Sequence, residues 1–475
     1  MKVIKNYLYN TIYQIILIIS PIITVPYITR IFTPDQLGIN AFTLSIAQYF
    51  VLFAGLGIGI YGNRTIAYIK EDENKRVRTF WSIFFTILFT TFVALILYFF
   101  FVFFIFKEYF FFYLVQSIYI LSVALDISWL FRGMEDFKKI VTRNIIIKLI
   151  GITSIFLFVK KTEDIYIYIS LLALINLLGV ITMWIYLPQY IKGFYFNIHE
   201  IKSHVLPLIK VYIPQVAIQV YVVMDKTMLG ILSDESQVGY YDMSQKIVKI
   251  VLTIVTSLGV VMIPHISNLI AKKNFDEVEK NIGYTFKYMS YLAFPLAFGL
   301  SLISKSLTHW FFGANYEYTG VLMSFSSFII ISITWSNIIG MQLLMPMMKE
   351  KEFSISVIGA AVINVVMNIA LIPKYGALGA IISTIVAEFS VTLIQIIVVK
   401  KYINVLPNIL STWKCFISAI IMFISISQLT SHLDYNISTT IIQIIAGFIV
   451  YVIAMVILKS QIQIEIIDIL LKKFK

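Results

Sequence analysis

Asp242, Lys246, Lys249, Thr253 and Thr256 follow i, i+4, i+7 spacing inside an otherwise apolar run over 238–263. A helical period of 3.6 residues gathers them on one face. An ionisable group inside an apolar span costs about 2.5–3.5 kcal/mol on insertion scales, so each is a functional candidate. At about 1.5 Å per residue, Lys249 lies roughly 15 Å into its span, a depth that demands water or protein in front of the stripe. A lysine ammonium is a mobile point charge on a flexible stem, suited to attracting an anion. Two readings stay open for Lys246: it lines the same wet face, or it pairs with Asp225 of the preceding run, which lies about as far from the shared turn.

Other candidates are scattered. Lys148 is about 12 Å into the run 141–159 and has no acidic neighbour one turn away, so it either meets an anion or snorkels to the boundary. Lys226 adjoins Asp225. Glu388 is about 18 Å into its run, where a carboxyl either carries a proton in ion coupling or bonds to a neighbouring helix. Arg30 and Arg64 sit at helix ends, where interfacial anchoring competes with binding. Lys287 is only a turn or two inside its run, which favours snorkelling. Asn176, Gln215, Gln219, Asn364 and Asn368 either line a wet face or bind helix to helix.

Catalytic chemistry finds no foothold. The five histidines follow no HExxH or paired metal spacing, and no GxxxxGK[ST] loop is present. The single cysteine, Cys415, excludes an internal disulfide and CxxC sites. No metal or cofactor is expected.

These residues are carried by a chain that is 59% hydrophobic and 13% charged, with mean hydropathy +0.89. Soluble chains run about 45–50% apolar and about 25% charged. The composition excludes a soluble enzyme, a disulfide scaffold and a disordered chain. The net charge of +12 lies mostly between apolar runs, which points to membrane lipid or an anionic membrane substrate as partner and away from nucleic acid.

A transmembrane helix needs about 20 apolar residues, and about fourteen such runs can be read. They fall at roughly 7–29, 37–61, 80–106, 109–130, 141–159, 165–187, 208–232, 238–263, 282–303, 319–341, 353–372, 376–399, 413–430 and 437–458. The expected fold is therefore an all-α polytopic membrane protein. With the N-terminus in the cytoplasm, inside segments hold about 25 of the 37 basic residues and outside loops about 6. Both termini are then cytoplasmic. The first run is read as a retained helix whose Pro21 and Pro26 invite a bend, either a hinge or a static kink. The tail from Gln461 reads as an interfacial amphipathic helix.

Two turns echo each other. Ile31-Phe32-Thr33-Pro34-Asp35-Gln36-Leu37-Gly38 follows the first run, and Ile231-Leu232-Ser233-Asp234-Glu235-Ser236-Gln237-Val238-Gly239 follows the seventh. A weaker echo sets Lys160 to Asp164 against Pro373-Lys374-Tyr375-Gly376. Parallel six-helix repeats are a transporter architecture.

Several blocks resemble the Wzx-type polysaccharide repeat-unit flippases of the multidrug/oligosaccharidyl-lipid/polysaccharide exporter superfamily. They are Asn6-Tyr7 through Tyr13-Gln14, Pro21, Thr24-Val25-Pro26-Tyr27, Arg30, Pro34, Gly38, Ser45, Gln48-Tyr49-Phe50 and Tyr61-Gly62-Asn63-Arg64. Asp136-Phe137-Lys138-Lys139, Asp225-Lys226-Thr227-Met228-Leu229-Gly230 and Ile372-Pro373 through Gly379-Ala380 extend the likeness over nearly the whole chain. The resemblance implies two six-helix bundles, 1–205 and 206–402, facing across a central cavity, with two helices and the tail added over 403–475.

It also implies transfer of an undecaprenyl-pyrophosphate-linked oligosaccharide between leaflets of the bacterial cytoplasmic membrane, for capsule, exopolysaccharide or O-antigen. The polymerase and chain-length machinery would be protein partners. On this reading Lys249, Lys148, Lys246, Lys226, Arg30 and Arg64 are candidates for the pyrophosphate, and Glu388, Asp225 and Asp242 for ion coupling. A cation-coupled multidrug antiporter of the same superfamily is the alternative. A membrane polysaccharide polymerase or ligase would need a sizeable outer loop that the spacing does not provide.

Overall fold

The computed structural model describes residues 2–105 and 108–473. The side chains of 2–14, 213–215, 217, 218, 220, 260, 261 and 469–473 are outside the description, and with them Gln215 and the opening block from Asn6 to Gln14. No strand occurs among the described residues.

The helices follow the apolar runs. They are α1 (Lys2–Ile31), α2 (Pro34–Gly55), α3 (Ile58–Tyr68), α4 (Glu73–Phe104), α5 (Phe110–Leu125), α6 (Ser128–Gly133), α7 (Phe137–Phe158), α8 (Ile165–Thr182) and α9 (Ile198–Leu232). Then come α10 (Glu235–Ala271), α11 (Phe275–Phe311), α12 (Glu317–Ser326), α13 (Ile329–Ile339), α14 (Glu350–Tyr375), α15 (Ala377–Val399), α16 (Leu406–Leu410), α17 (Trp413–Leu429), α18 (Ile437–Ile457) and α19 (Gln461–Lys473). Among the described residues 11 helical segments are long and apolar enough to span a bilayer, and 12 if Ala314–Ser326 and Ile329–Leu344, bent by 42°, count as one. The other two predicted spans fall on α1 and α9.

Some spans are broken where the sequence reads as continuous. The second splits at Leu56 and Gly57, both left-handed with φ 39° and 72°. The fourth splits at Asp126, the C-cap of α5, whose Oδ1 accepts the Ser128 N–H at 2.9 Å in an Asx turn between α5 and α6. A π turn over Gly340–Leu344 extends α13.

The chain forms two compact units, Met1–Gly230 and Ile231–Lys475. In the first, Phe80, Ile83, Trp129, Leu130 and Phe131 build the core on which Leu208 of α9 packs. Here α3 crosses α6 at two reciprocal glycines. A Cβ on Gly62 would sit 2.8 Å from the Trp129 ring, and one on Gly133 2.7 Å from Ile66. In the second unit α14 runs along α15, and α17 and α18 pack together on α11. The tail helix α19 meets α11 through Lys287 Nζ to Glu465 Oε1 at 2.7 Å and Tyr291 OH to Gln463 Oε1 at 2.7 Å. Lys287 therefore ends in an ion pair with the tail.

The echoing turns are built alike. Asp234 caps α10 by accepting the Gln237 N–H at 3.0 Å. At the start of α2 the Gln36 Oε1 accepts the Thr33 N–H at 3.2 Å.

Candidate functional site

Helix α10 presents the stripe read from the sequence, with its charges arranged unevenly. Asp242 is 7% exposed, and its Oδ2 lies 3.0 Å from Lys246 Nζ. The i+4 position that placed the two on one face also lets them neutralise each other. Lys246 thus has its acid on its own helix. Lys249, one turn further, is exposed. The Thr253 and Thr256 hydroxyls donate to the carbonyls of Lys249 at 2.8 Å and Leu252 at 3.1 Å, so they follow the stripe without adding donors to it.

The remaining candidates occupy separate elements. Asp225 on α9 is 5% exposed and Lys226 beside it is half-buried. Two residues on, the Thr227 hydroxyl meets Ser45 at 2.9 Å and ties α9 to α2. Lys148 is half-buried on α7, one turn beyond Arg143, whose Nη1 donates to the Gly179 carbonyl at 2.8 Å. Glu388 is half-buried on α15, and its carbonyl accepts the Thr392 hydroxyl at 3.2 Å. Arg64 is exposed on α3. Arg30 is exposed at the end of α1, where its Nη1 donates to the Pro26 carbonyl at 2.5 Å. A cation at a helix C-terminus is also favoured by the helix dipole.

Neutral polar side chains bond both within and between helices. Asn368 Nδ2 donates to Asn364 Oδ1 at 3.1 Å within α14, and Gln395 Nε2 reaches Ser356 Oγ at 3.2 Å between α15 and α14. Gln116 Nε2 donates to Asn40 Oδ1 at 2.9 Å between α5 and α2.

One cluster escaped the sequence reading although its motif, Asp136-Phe137-Lys138-Lys139, was noticed. Lys139 Nζ lies 2.9 Å from Asp136 Oδ2, bonds Gln189, and sits 4.5 Å from the Tyr190 ring centroid and 5.3 Å from that of Tyr186. The Tyr190 hydroxyl donates to Asp136 Oδ2 at 2.6 Å. Burial pushes the Asp136 carboxyl up, but the bonds from Tyr190 and Lys139 outweigh it and hold the group below its ordinary value. The i, i+3 spacing of Asp136 and Lys139 was a usable signal; the distance to Tyr190 along the chain was not. No group of three His, Cys, Asp or Glu side chains able to hold an ion occurs among the described residues.

The family model described as polysaccharide biosynthesis protein matches residues 3–270, more than half of the chain. The chain belongs to the polysaccharide biosynthesis protein family. Among its relatives is a putative O-antigen transporter of Escherichia coli K12, 22% identical over 404 residues, covering 84% of this chain and 96% of the relative. The lipid II flippase MurJ of Bacillus subtilis is 25% identical over 208 residues, covering 43% of this chain and 36% of that protein.

The fold is shared with a solved lipid II flippase MurJ in an inward closed conformation, at TM-score 0.76 and 19% identity, covering 97% and 99% of the two chains. An inward-facing MATE family transporter of the MOP superfamily aligns at TM-score 0.63 and 13% identity, over 83% and 96%. This polysaccharide biosynthesis protein is therefore a Wzx-like, multi-pass membrane transporter of the flippase class, not an enzyme.

Proposed function

We propose that this family member flips an undecaprenyl-pyrophosphate-linked oligosaccharide repeat unit from the cytoplasmic to the outer leaflet of the bacterial cytoplasmic membrane, by alternating access. Both termini then lie in the cytoplasm, as the basic residues between the runs favour. The observation that carries the reading is Lys249, exposed on α10 on the same face as Asp242 and Lys246. A cation so placed suits a pyrophosphate, while the polyprenyl tail stays in lipid. Lys148, Lys226, Arg30 and Arg64 are further candidates for the anion. Asp225, Asp242 and Glu388 are candidates for ion coupling. The O-antigen transporter relatives, matched over nearly their full length, support a polymerised surface glycan as the destination and its polymerase as a partner.

The test is Lys249→Ala expressed in a deletion strain. Loss of surface polysaccharide with normal membrane insertion is expected; normal polysaccharide overturns the assignment. The buried carboxyls Asp225 and Asp242 also suit a cation-coupled multidrug antiporter. Drug sensitivity of the deletion strain, with its surface glycan unchanged, would favour that second reading.

A further inference from the structure

A groove of about 490 Å³ opens beside the first turns of α11, away from every residue considered above as a transport candidate. Its walls come from α11, α16, the turn after α16 and the start of α19, which contributes Gln461. Asp276, Glu279, Lys280 and Lys287 line it from α11, Asn408 from α16, and Ser411 from the turn that follows. Gly283 forms its floor, since a Cβ there would lie 3.1 Å from Asn408 Oδ1.

The groove sits at the boundary between bilayer and water. Tyr284 and Tyr288 are 42% and 38% exposed on α11, and Trp413 is 50% exposed at the start of α17. Exposed tyrosine and tryptophan at the end of a span mark the headgroup level. Asp276 and Glu279 lie in the outermost turns of α11, and Lys280 one turn inward of Asp276, about 6 Å along the axis.

The charge balance decides the ligand. Lys287 Nζ is held by Glu465 Oε1 at 2.7 Å, which spends its charge on the tail. Lys280 is exposed and has no acidic oxygen within 4.0 Å among the described residues. One available cation therefore faces two carboxylates. An anionic headgroup would meet net repulsion, whereas a zwitterion finds both opposite charges. Lys280 lies about 6 Å inward of Asp276 along the axis, with Glu279 nearly level with Lys280, and Asn408 and Ser411 line the same groove.

We infer that this groove binds the headgroup of a zwitterionic aminophospholipid. Lys280 and Asn408 take the phosphate, and Asp276 and Glu279 take the ammonium. The site is independent of the glycan substrate and holds whatever the transporter carries.

The experiment is native mass spectrometry of the full chain released from nanodiscs of equal phosphatidylethanolamine and phosphatidylglycerol. Wild type should retain phosphatidylethanolamine in preference. Asp276→Asn with Glu279→Gln should lower that preference about threefold, the scale of exposed charge pairs, and Lys280→Gln should weaken retention of phosphatidylethanolamine. Melting temperature and monodispersity confirm that each variant is folded. Soluble phosphoethanolamine should not displace the lipid, because the acyl chains help hold it. Equal or greater retention of phosphatidylglycerol by wild type overturns the inference, as does retention unchanged in the variants. Displacement by phosphoethanolamine would assign the groove to a soluble phosphoester instead.

Discussion

The Ala377 N–H donates to Gln237 Oε1 at 2.9 Å, joining the turn before α10 to the start of α15. In the first unit Gln36 Nε2 donates to the Thr162 carbonyl at 3.2 Å, joining the turn before α2 to the turn before α8. Each glutamine stands three residues after the N-cap of its helix, Thr33 or Asp234, and one reaches the second, weaker echo while the other reaches the residue that follows it. Two resemblances that were separate in the sequence are thus in contact within each unit.

Gly376 tests this junction. It has φ +54° and ψ −131°, and a Cβ there would lie 2.6 Å from Gln237 Oε1. Gly376→Ala should cost about 1–3 kcal/mol through backbone strain, with the clash added, read as a lower melting temperature in detergent. Adding Gln237→Ala should recover the clash but not the strain.

The Asp242–Lys246 pair should behave as a unit. Lys246→Ala removes the ammonium 3.0 Å from a buried carboxylate and should destabilise by about 1 kcal/mol or somewhat more. Adding Asp242→Asn should restore most of that loss, which a double-mutant cycle of melting temperatures measures.

Docking of α19 should depend on pH. The hydrogen bond from Lys287 holds the Glu465 carboxyl below its ordinary value of 4.5. A depressed carboxyl contributes stability that is complete above 4.5 and fades as pH falls through the lower, docked value. Hydrogen-exchange protection factors in α19, corrected for the intrinsic rate at each pH, should therefore be high at neutral pH and fall below pH 4.5. In Lys287→Met the protection factors should be lower at neutral pH and change much less with acid.

The Lys139 cluster should tolerate loss of one hydroxyl better than loss of its charge. Tyr190→Phe removes the hydroxyl that donates to Asp136 and accepts from Lys139 at 3.2 Å, but keeps the ring under the ammonium, at a cost of about 1–2 kcal/mol. Lys139→Met removes the ion pair and the cation–π contacts together and should cost more. Thermal unfolding of the two variants gives the order.

The helical membrane fold was legible because long apolar runs have no other solution in a bilayer. The span breaks were not, since Leu56 and Asp126 sit in stretches whose hydropathy continues across them. Of the charge partners, only those within one turn were within reach of spacing arguments. Asp242 was seen on the same face as Lys246, yet Asp225 was weighed as its acid. Glu465 lies 178 residues from Lys287, and nothing local announces such a pair.

The interlocked glycines Gly62 and Gly133 leave α3 and α6 no room to slide past each other. Helices of 11 and 6 residues are too short to persist alone. They must relocate as a single block whenever either does, so a spectroscopic label on the outer side of one reports the displacement of both.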